Sequence, residues 1–196
     1  MIREALIAKY CKGKDVLDVG SVGQTDEYCL WNLLSDHARH LTGIDLDSSE
    51  EARHDGFAKA ALKAQHLIVQ GNMETYDFGK QFEVVVLGDI IEHVENQGLL
   101  LRNIRRHLAP GGVMILTTPN AKWPTCLLLK PNPTHTIWHD KYTLQRILTV
   151  CGYKITHFQY YFGNKPYYNP ISRALCWRQG MLAVSESCDT CAPDVR

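Results

Sequence analysis

Acids and glycines recur in this chain at four places, each directly after a short apolar run. Asp18-Val19-Gly20-Ser21-Val22-Gly23 follows Val16-Leu17, and Asp45 follows His40-Leu41-Thr42-Gly43-Ile44. Gly71-Asn72-Met73-Glu74 follows His66 to Gln70, and Gly88-Asp89-Ile90-Ile91-Glu92-His93 follows Phe82 to Leu87. Glycine lets a backbone adopt positive φ and come close to a ligand. Asp45 stands 25 positions beyond Gly20, where an acid can accept both ribose hydroxyls of an adenosine. One such turn is ordinarily structural, and one such acid is ordinarily a helix cap. Four in order point to a nucleoside-containing ligand.

These groups need elements to hold them. Apolar runs alternate with amphipathic stretches, the pattern of βα units. Strands are expected at 16–20, 40–45, 66–70, 82–87 and 113–118. The unbroken β-branched run Phe82-Glu83-Val84-Val85-Val86-Leu87 suits a strand buried on both faces. Helices are expected over Ile2 to Cys11, Asp26 to His37 and Glu95 to Leu108, the last stopped by Ala109-Pro110-Gly111-Gly112. Ser48 or Ser49 could cap a short helix with Glu50 and Glu51 in its first turn. Pro119, Pro124, Pro131 and Pro133 mark a loop or lid before a helix over Asp140 to Cys151. Late strands are expected at 153–161 and 181–185. The sum is a doubly wound, three-layer α/β domain whose ligand lies beyond the carboxyl ends of the strands.

Two ligand classes compete for that edge. A dinucleotide asks for Gly-x-Gly-x-x-Gly, so that a helix N-terminus faces the pyrophosphate. Here only Gly20 and Gly23 are present in the turn, and Asp18 ahead of it would repel a diphosphate. An acid suits a cofactor that carries a cationic sulfur and an ammonium, which is S-adenosylmethionine (SAM).

Asp15 to Gly23, Gly43-Ile44-Asp45, Phe82 to Val85, Asp89 to Val94 and Leu108-Ala109-Pro110-Gly111-Gly112 together resemble the class I SAM-dependent methyltransferases. The resemblance is closest to the small group that includes the ubiquinone-biosynthesis O-methyltransferases, and runs from about Lys14 to Tyr153. It implies a Rossmann-like methyltransferase sheet of strand order 3-2-1-4-5-7-6 with the last strand antiparallel. The family's usual turn is Asp-x-Gly-x-Gly-x-Gly. Val22 and Gln24 stand at its second and third glycine places here, so either the Gln24 amide replaces a backbone contact or the turn is looser. By resemblance, Asp18, Gly20, Ser21, Gly23 and Gln24 surround the methionyl end of the cofactor, and Asp45 holds the ribose. Leu46 packs near the adenine, Asn72 and Met73 meet its edge and face, and Gly88 and Asp89 lie close to the transferring methyl.

The resemblance implies an enzyme that moves a methyl group from SAM to a small-molecule acceptor, with oxygen the leading acceptor atom and S-adenosylhomocysteine the product. Alignment of the acceptor and removal of its proton are then the protein's task. The candidates are His93, Glu92, His135 and His139, and His93 suits a base near neutral pH. The bland alternative for Glu92 and His93 is that they cap and orient the next helix. His135 and His139 would share a face if their segment were helical. Asp89, Glu92, His93 and His135 resemble the divalent-metal set of small-RNA 3′-terminal 2′-O-methyltransferases and metal-dependent quinol O-methyltransferases. A metal-assisted RNA or quinol enzyme is thus an alternative, although no metal is favoured. A non-catalytic SAM-binding module, motivated by the altered turn, is the other. Trp123, Trp138, Tyr160, Tyr161, Phe162, Tyr167 and Tyr168 could line an acceptor pocket or simply pack a core. Arg102, Arg105, Arg106 and His107 suit a solvated helix face.

Composition sets the outer bounds. The 196 residues are 45% hydrophobic and 21% charged, with 21 Lys+Arg against 21 Asp+Glu, which argues against disorder and against a broad nucleic-acid surface. The expectation is one domain over 1–187, with a proline-rich acceptor-side insert at about 119–139 and a loose tail at 188–196. No window approaches the roughly 18 apolar residues of a membrane span. The first residues lack a signal-peptide core, so the cytoplasm is the default. The seven cysteines read as reduced, mostly buried thiols, with only Cys188 and Cys191 at a metal-like spacing. Little precedes the first strand, which leaves the cleft open or covered by a second subunit of a homodimer.

Overall fold

The computed structural model describes residues 3–22, 30–47, 66–122, 132–161 and 179–190. Strand β4 (Phe82–Gly88) is the middle of the sheet, and Val84 to Leu87 are at most 2% exposed. It runs parallel to β1 (Asp15–Val19) on one side and β5 (Leu108–Pro119) on the other. Beyond β1 lie β2 (His40–Asp45) and β3 (His66–Gln70), also parallel. Beyond β5, β7 (Gly180–Ser187) inserts antiparallel between β5 and the edge strand β6 (Tyr153–Tyr161). The order β3-β2-β1-β4-β5-β7-β6 is the one the resemblance implies.

Side-chain alternation along the strands divides the core in two. Val16, Val84, Val86 and Ile115 face α1 (Arg3–Cys11) and α2 (Leu30–His37), where Ile7, Trp31 and Leu34 meet them. Leu17, Val85, Leu87 and Met114 face α3 (Gln97–Arg106) and α4 (Lys141–Val150), through Leu100, Ile104, Leu144 and Leu148. These are the three layers.

Several boundaries differ from the sequence expectation. The helix over 95–108 is shorter, because Asn96 caps it by accepting the Leu99 N–H at 3.2 Å. The cap is therefore neither Glu92 nor His93, which form a separate 3-10 turn (Ile91–His93). The stop at Pro110-Gly111-Gly112 belongs instead to β5, which starts at Leu108; the pairing with β4 shifts register between Phe82 and Val84 and absorbs these residues. Asp140 caps α4 in a reciprocal capping box with Thr143. The first part of the helix expected at 26–37, and the one capped by Ser48 or Ser49, lie outside the described residues.

Cys11 and Cys151 are free and buried. Cys188 is disulfide-bonded, which corrects the reduced-thiol expectation there; it follows β7 at the surface, where a thiol is open to oxidation. Its N–H donates to the Gly152 carbonyl at 2.8 Å, and Asp189 pairs with Arg105. Among the described residues no helix is long and apolar enough to cross a membrane.

Candidate active site

The carboxyl ends of β1, β2 and β3 and the 3-10 turn enclose a cleft of about 530 Å³. Gly20, Asp45, Leu46, Asn72, Met73 and His93 all line it. At Gly20 the backbone takes φ +77°, and a Cβ there would lie 2.0 Å from Ile90 Cδ1. The positive φ favours glycine here, and a larger residue would also have to displace the Ile90 side chain. Asp45 braces the same turn: one carboxylate oxygen accepts the Val22 N–H at 2.8 Å and the other the Asp47 N–H at 3.3 Å. Asn72 closes its own turn by accepting the Glu74 N–H at 2.8 Å. Asn103 of α3 secures that turn from beneath, its amide donating to the carbonyls of Met73 and Tyr76 at 2.8 Å each. Ser21 is buried and points under Gly43 rather than into the cleft. Gly23 and Gln24 lie outside the described residues.

Asp18 is fully buried on the α1 side of β1, and neither carboxylate oxygen has a hydrogen-bond partner among the described residues. Burial raises its pKa well above the usual carboxylate range; Asp45 adds to this and Arg3 opposes it. Asp89 follows β4 with φ +56°. Its N–H donates to the Thr117 carbonyl and hydroxyl, both at 3.1 Å. Its carboxylate takes Arg3 Nη1 at 2.9 Å on one oxygen and the Tyr161 hydroxyl at 3.0 Å on the other. Burial works against the Arg3 charge, but Asp89, Tyr161, Glu4 and Glu92 outweigh it and raise the pKa of the group. Gly88 lies beneath this cation, since a Cβ there would stand 3.4 Å from Arg3 Nη2.

The third group joins the 3-10 turn to the chain over 132–140. Ligand atoms of Glu92, His93 and His135 all lie within 4.8 Å of one another. Glu92 is buried and accepts the Thr118 hydroxyl at 3.0 Å; desolvation, reinforced by Asp89, pushes its pKa up to about 8. His93 Nδ1 lies 3.2 Å from the Thr134 carbonyl. A carbonyl only accepts, so Nδ1 carries a proton, and in the neutral ring the lone pair is on Nε2. The His93 and His135 rings meet edge to face with centroids 4.6 Å apart, and Trp138 lies 4.6 Å from His135 on another side. The Asn132 amide donates to His135 Nε2 at 3.2 Å. Burial, followed by the charge of His93, lowers the pKa of His135.

His139 is elsewhere. Residues 132–140 form turns and extended chain rather than a helix, so His135 and His139 do not share a face. His139 is buried against Gln97, Nε2 to Oε1 at 3.0 Å, and Gln97 in turn donates to the Ile91 carbonyl at 2.8 Å. Of the late aromatics, Trp138 and Tyr161 reach the site, Tyr160 packs on Phe158 at 5.3 Å, and Trp123, Phe162, Tyr167 and Tyr168 lie outside the described residues. Arg105 and Arg106 are occupied by Asp189 and Asn103.

Arg3, Thr118, Thr136, Gln97 and Asn103 carry no signal of motif or spacing. Each is held at the site by tertiary packing from a distant part of the chain. The chemistry of the whole suits a charged nucleoside. The fully buried Asp18 and the partly buried Arg3 are not among the described lining residues of the cleft, while Gly20 with its positive φ and Asp45 line one end of it. Two imidazoles and a carboxylate, the borderline donor set of transition metals, form the other.

The profile of a family described as "Methyltransferase domain" matches residues 3–161. A probable S-adenosylmethionine-dependent methyltransferase of Mycolicibacterium smegmatis is 28% identical over 156 residues, covering 76% of this chain and 55% of that protein. A ubiquinone biosynthesis O-methyltransferase of Psychrobacter arcticus is 32% identical over 113 residues, 55% of this chain and 42% of the relative. The chain thus spans about half the length of these curated relatives or less. Among solved structures, the N-methyltransferase NodS of Bradyrhizobium japonicum bound to S-adenosylhomocysteine superposes with a TM-score of 0.68 at 16% identity, covering 94% of this chain and 85% of that one. A putative methyltransferase of Bacillus halodurans gives 0.70 at 15% identity, covering 93% and 96%.

Proposed function

This chain belongs to the SAM-dependent methyltransferase family, and from that premise we propose that it binds SAM and transfers the methyl group to an oxygen of a small-molecule acceptor. SAM supplies a methyl already activated on a sulfonium, so that the acceptor oxygen forms the new bond to carbon as the carbon–sulfur pair departs with sulfur. Asp45 would hold the ribose, and the turn at Gly20 would admit the nucleoside against backbone. Arg3 offers a counter-charge to the donor's carboxylate, while Asp18 and Asp89 suit its ammonium. Asn72 and Met73 supply edge and face for the adenine.

The observation that carries the reading is His93. It lines the same cleft as Gly20, Asp45 and Met73, and the Thr134 carbonyl fixes its proton on Nδ1. Its Nε2 is therefore the atom placed to take the acceptor proton. Calorimetric titration with SAM, S-adenosylhomocysteine and NAD tests the cofactor. Binding of NAD and not SAM would overturn it. Labelled-methyl transfer to a panel of phenols, carboxylates and amines tests the acceptor, and SAM binding without any transfer would support a binding module instead.

A second reading has its own observation, the convergence of Glu92, His93 and His135. These residues fit a divalent cation, which would lower the pKa of an acceptor hydroxyl bound to it. Asp89 would not join them, being held by Arg3 and Tyr161. Turnover unchanged in EDTA would count against the cation. The single domain over 1–187 is part of the same proposal, with the insert closed at its base by Ala121 N–H to the His139 carbonyl at 2.7 Å and Lys122 to Asp140 at 2.9 Å. So is a cytoplasmic location.

A further inference from the structure

We propose that Thr136 is a positioning residue that docks the returning limb of the insert, residues 132–139, onto the Ile91–His93 turn and thereby assembles the acceptor side of the site. The inference rests on the function proposed above and names the contact by which that site is completed. Thr136 makes three bonds to one turn. Its N–H donates to the Glu92 carbonyl at 2.8 Å, and its hydroxyl proton is shared between the carbonyls of Glu92 and Val94, each 3.0 Å away. The residues around it then carry the payload. Thr134 presents the carbonyl that sets the His93 tautomer, and His135 places its ring against His93.

Among the described residues, the other links from this limb to the turn are the longer Ile137 N–H bond to the Glu92 carbonyl at 3.4 Å and the contacts of His93 with Thr134 and His135. Ile137 is 43% exposed, so apolar burial does not anchor it there. The Gln97–His139 contact lies at the base, beside the closure at Ala121. The limb has no helix or strand of its own to impose a position. Without the hydroxyl, the Val94 carbonyl loses this partner and, among the described residues, the Glu92 carbonyl keeps only the Thr136 and Ile137 N–H groups, at 2.8 and 3.4 Å. A displacement of about 1 Å at a reacting group can cost roughly 100-fold in rate.

Thr136→Val keeps the shape and the N–H and removes the hydroxyl; Thr136→Ser keeps the hydroxyl. With the acceptor found in the panel, Thr136→Val should lower kcat roughly 10- to 100-fold while leaving KM for SAM and the Kd of S-adenosylhomocysteine unchanged. Thr136→Ser should restore kcat. Cross-relaxation between the imidazole protons of His93 and His135, read by NMR on the protein without substrate, should be present in the parent and in Thr136→Ser and absent in Thr136→Val. This signal does not depend on methyl transfer, so a chain that transfers no methyl still reports whether Thr136 docks the limb. Absence of the ring signal in the parent would overturn the proposal even if no variant folded. Retention of both the signal and kcat in Thr136→Val would overturn it, as would failure of Thr136→Ser to restore either. A joint fall in kcat, S-adenosylhomocysteine affinity and Tm would do the same, marking Thr136 as a general packing residue.

Discussion

Arg3 of the first helix and Asp89 beyond the fourth strand are joined by an ion pair of 2.9 Å, with the Tyr161 hydroxyl on the second oxygen of Asp89. The pair ties three parts of the chain to one point at the strand edge. Asp89 holds φ +56°, a conformation that costs a residue with a Cβ about 1–2 kcal/mol. The N–H bonds to Thr117 and the two side-chain partners offset that cost. A guanidinium kept charged here, among Asp18, Asp89 and Glu92, would serve as the counter-ion if the cofactor's carboxylate reached it.

Arg3→Met should therefore weaken S-adenosylhomocysteine binding by roughly 1.5–3 kcal/mol, the usual worth of a hydrogen bond to a charged group. The fold should persist, because Tyr161 still holds Asp89. Calorimetry beside a thermal melt separates the two effects. An unchanged Kd would remove Arg3 from the donor site.

Asp45 does two jobs at once, bracing Val22 and Asp47 and facing the cleft. Asp45→Ala should lose roughly 1.5–3 kcal/mol of SAM affinity, with Asp45→Asn losing less because its amide oxygen can still accept the Val22 N–H. Equal affinities in all three proteins would exclude Asp45 as the ribose partner.

The sheet was legible because its signals are local. Val84 to Leu87 read as a doubly buried strand from their β-branched run, and they are one. The cleft residues Gly20, Asp45, Met73 and His93 each follow a strand end, so topology carries them to one edge. Arg3 and Thr118 carry no such signal, since tertiary packing alone brings them in. His135 and His139 share a face only in a helix, and residues 132–140 form none, so their spacing does not bring His139 to the site. The start of β5 was misplaced because Pro110-Gly111-Gly112 usually ends an element. Here Gly112 presses so closely on the β4 carbonyls of Phe82 and Glu83, with a Cβ at 3.0 and 3.1 Å, that glycine is required within the strand.

Glu92 gives a pH signature. Its pKa is raised to about 8 by burial and by Asp89, above the ordinary value near 4.5 that it regains on unfolding. Between those values the folded chain holds a proton that the unfolded chain has released, so stability falls as pH rises through the window. Glu92→Gln mimics the protonated form and escapes this loss. Urea unfolding at several pH values should find the variant increasingly more stable than the parent from about pH 4.5 to pH 8, then level. A difference that does not vary with pH would contradict the buried, protonated carboxyl.

His93→Asn isolates the chemistry of one nitrogen. The asparagine amide N–H can replace Nδ1–H on the Thr134 carbonyl and keep the limb docked, while the Nε2 lone pair is gone. If that lone pair takes the acceptor proton, kcat should fall by roughly 10²–10⁴, the usual contribution of a positioned base. The Kd of S-adenosylhomocysteine should barely move, because Asp45, Gly20 and Met73 are untouched. Single-turnover transfer with prebound SAM measures the step directly. A rate near that of the parent, or a loss confined to cofactor affinity, would show that His93 shapes the cleft without moving a proton.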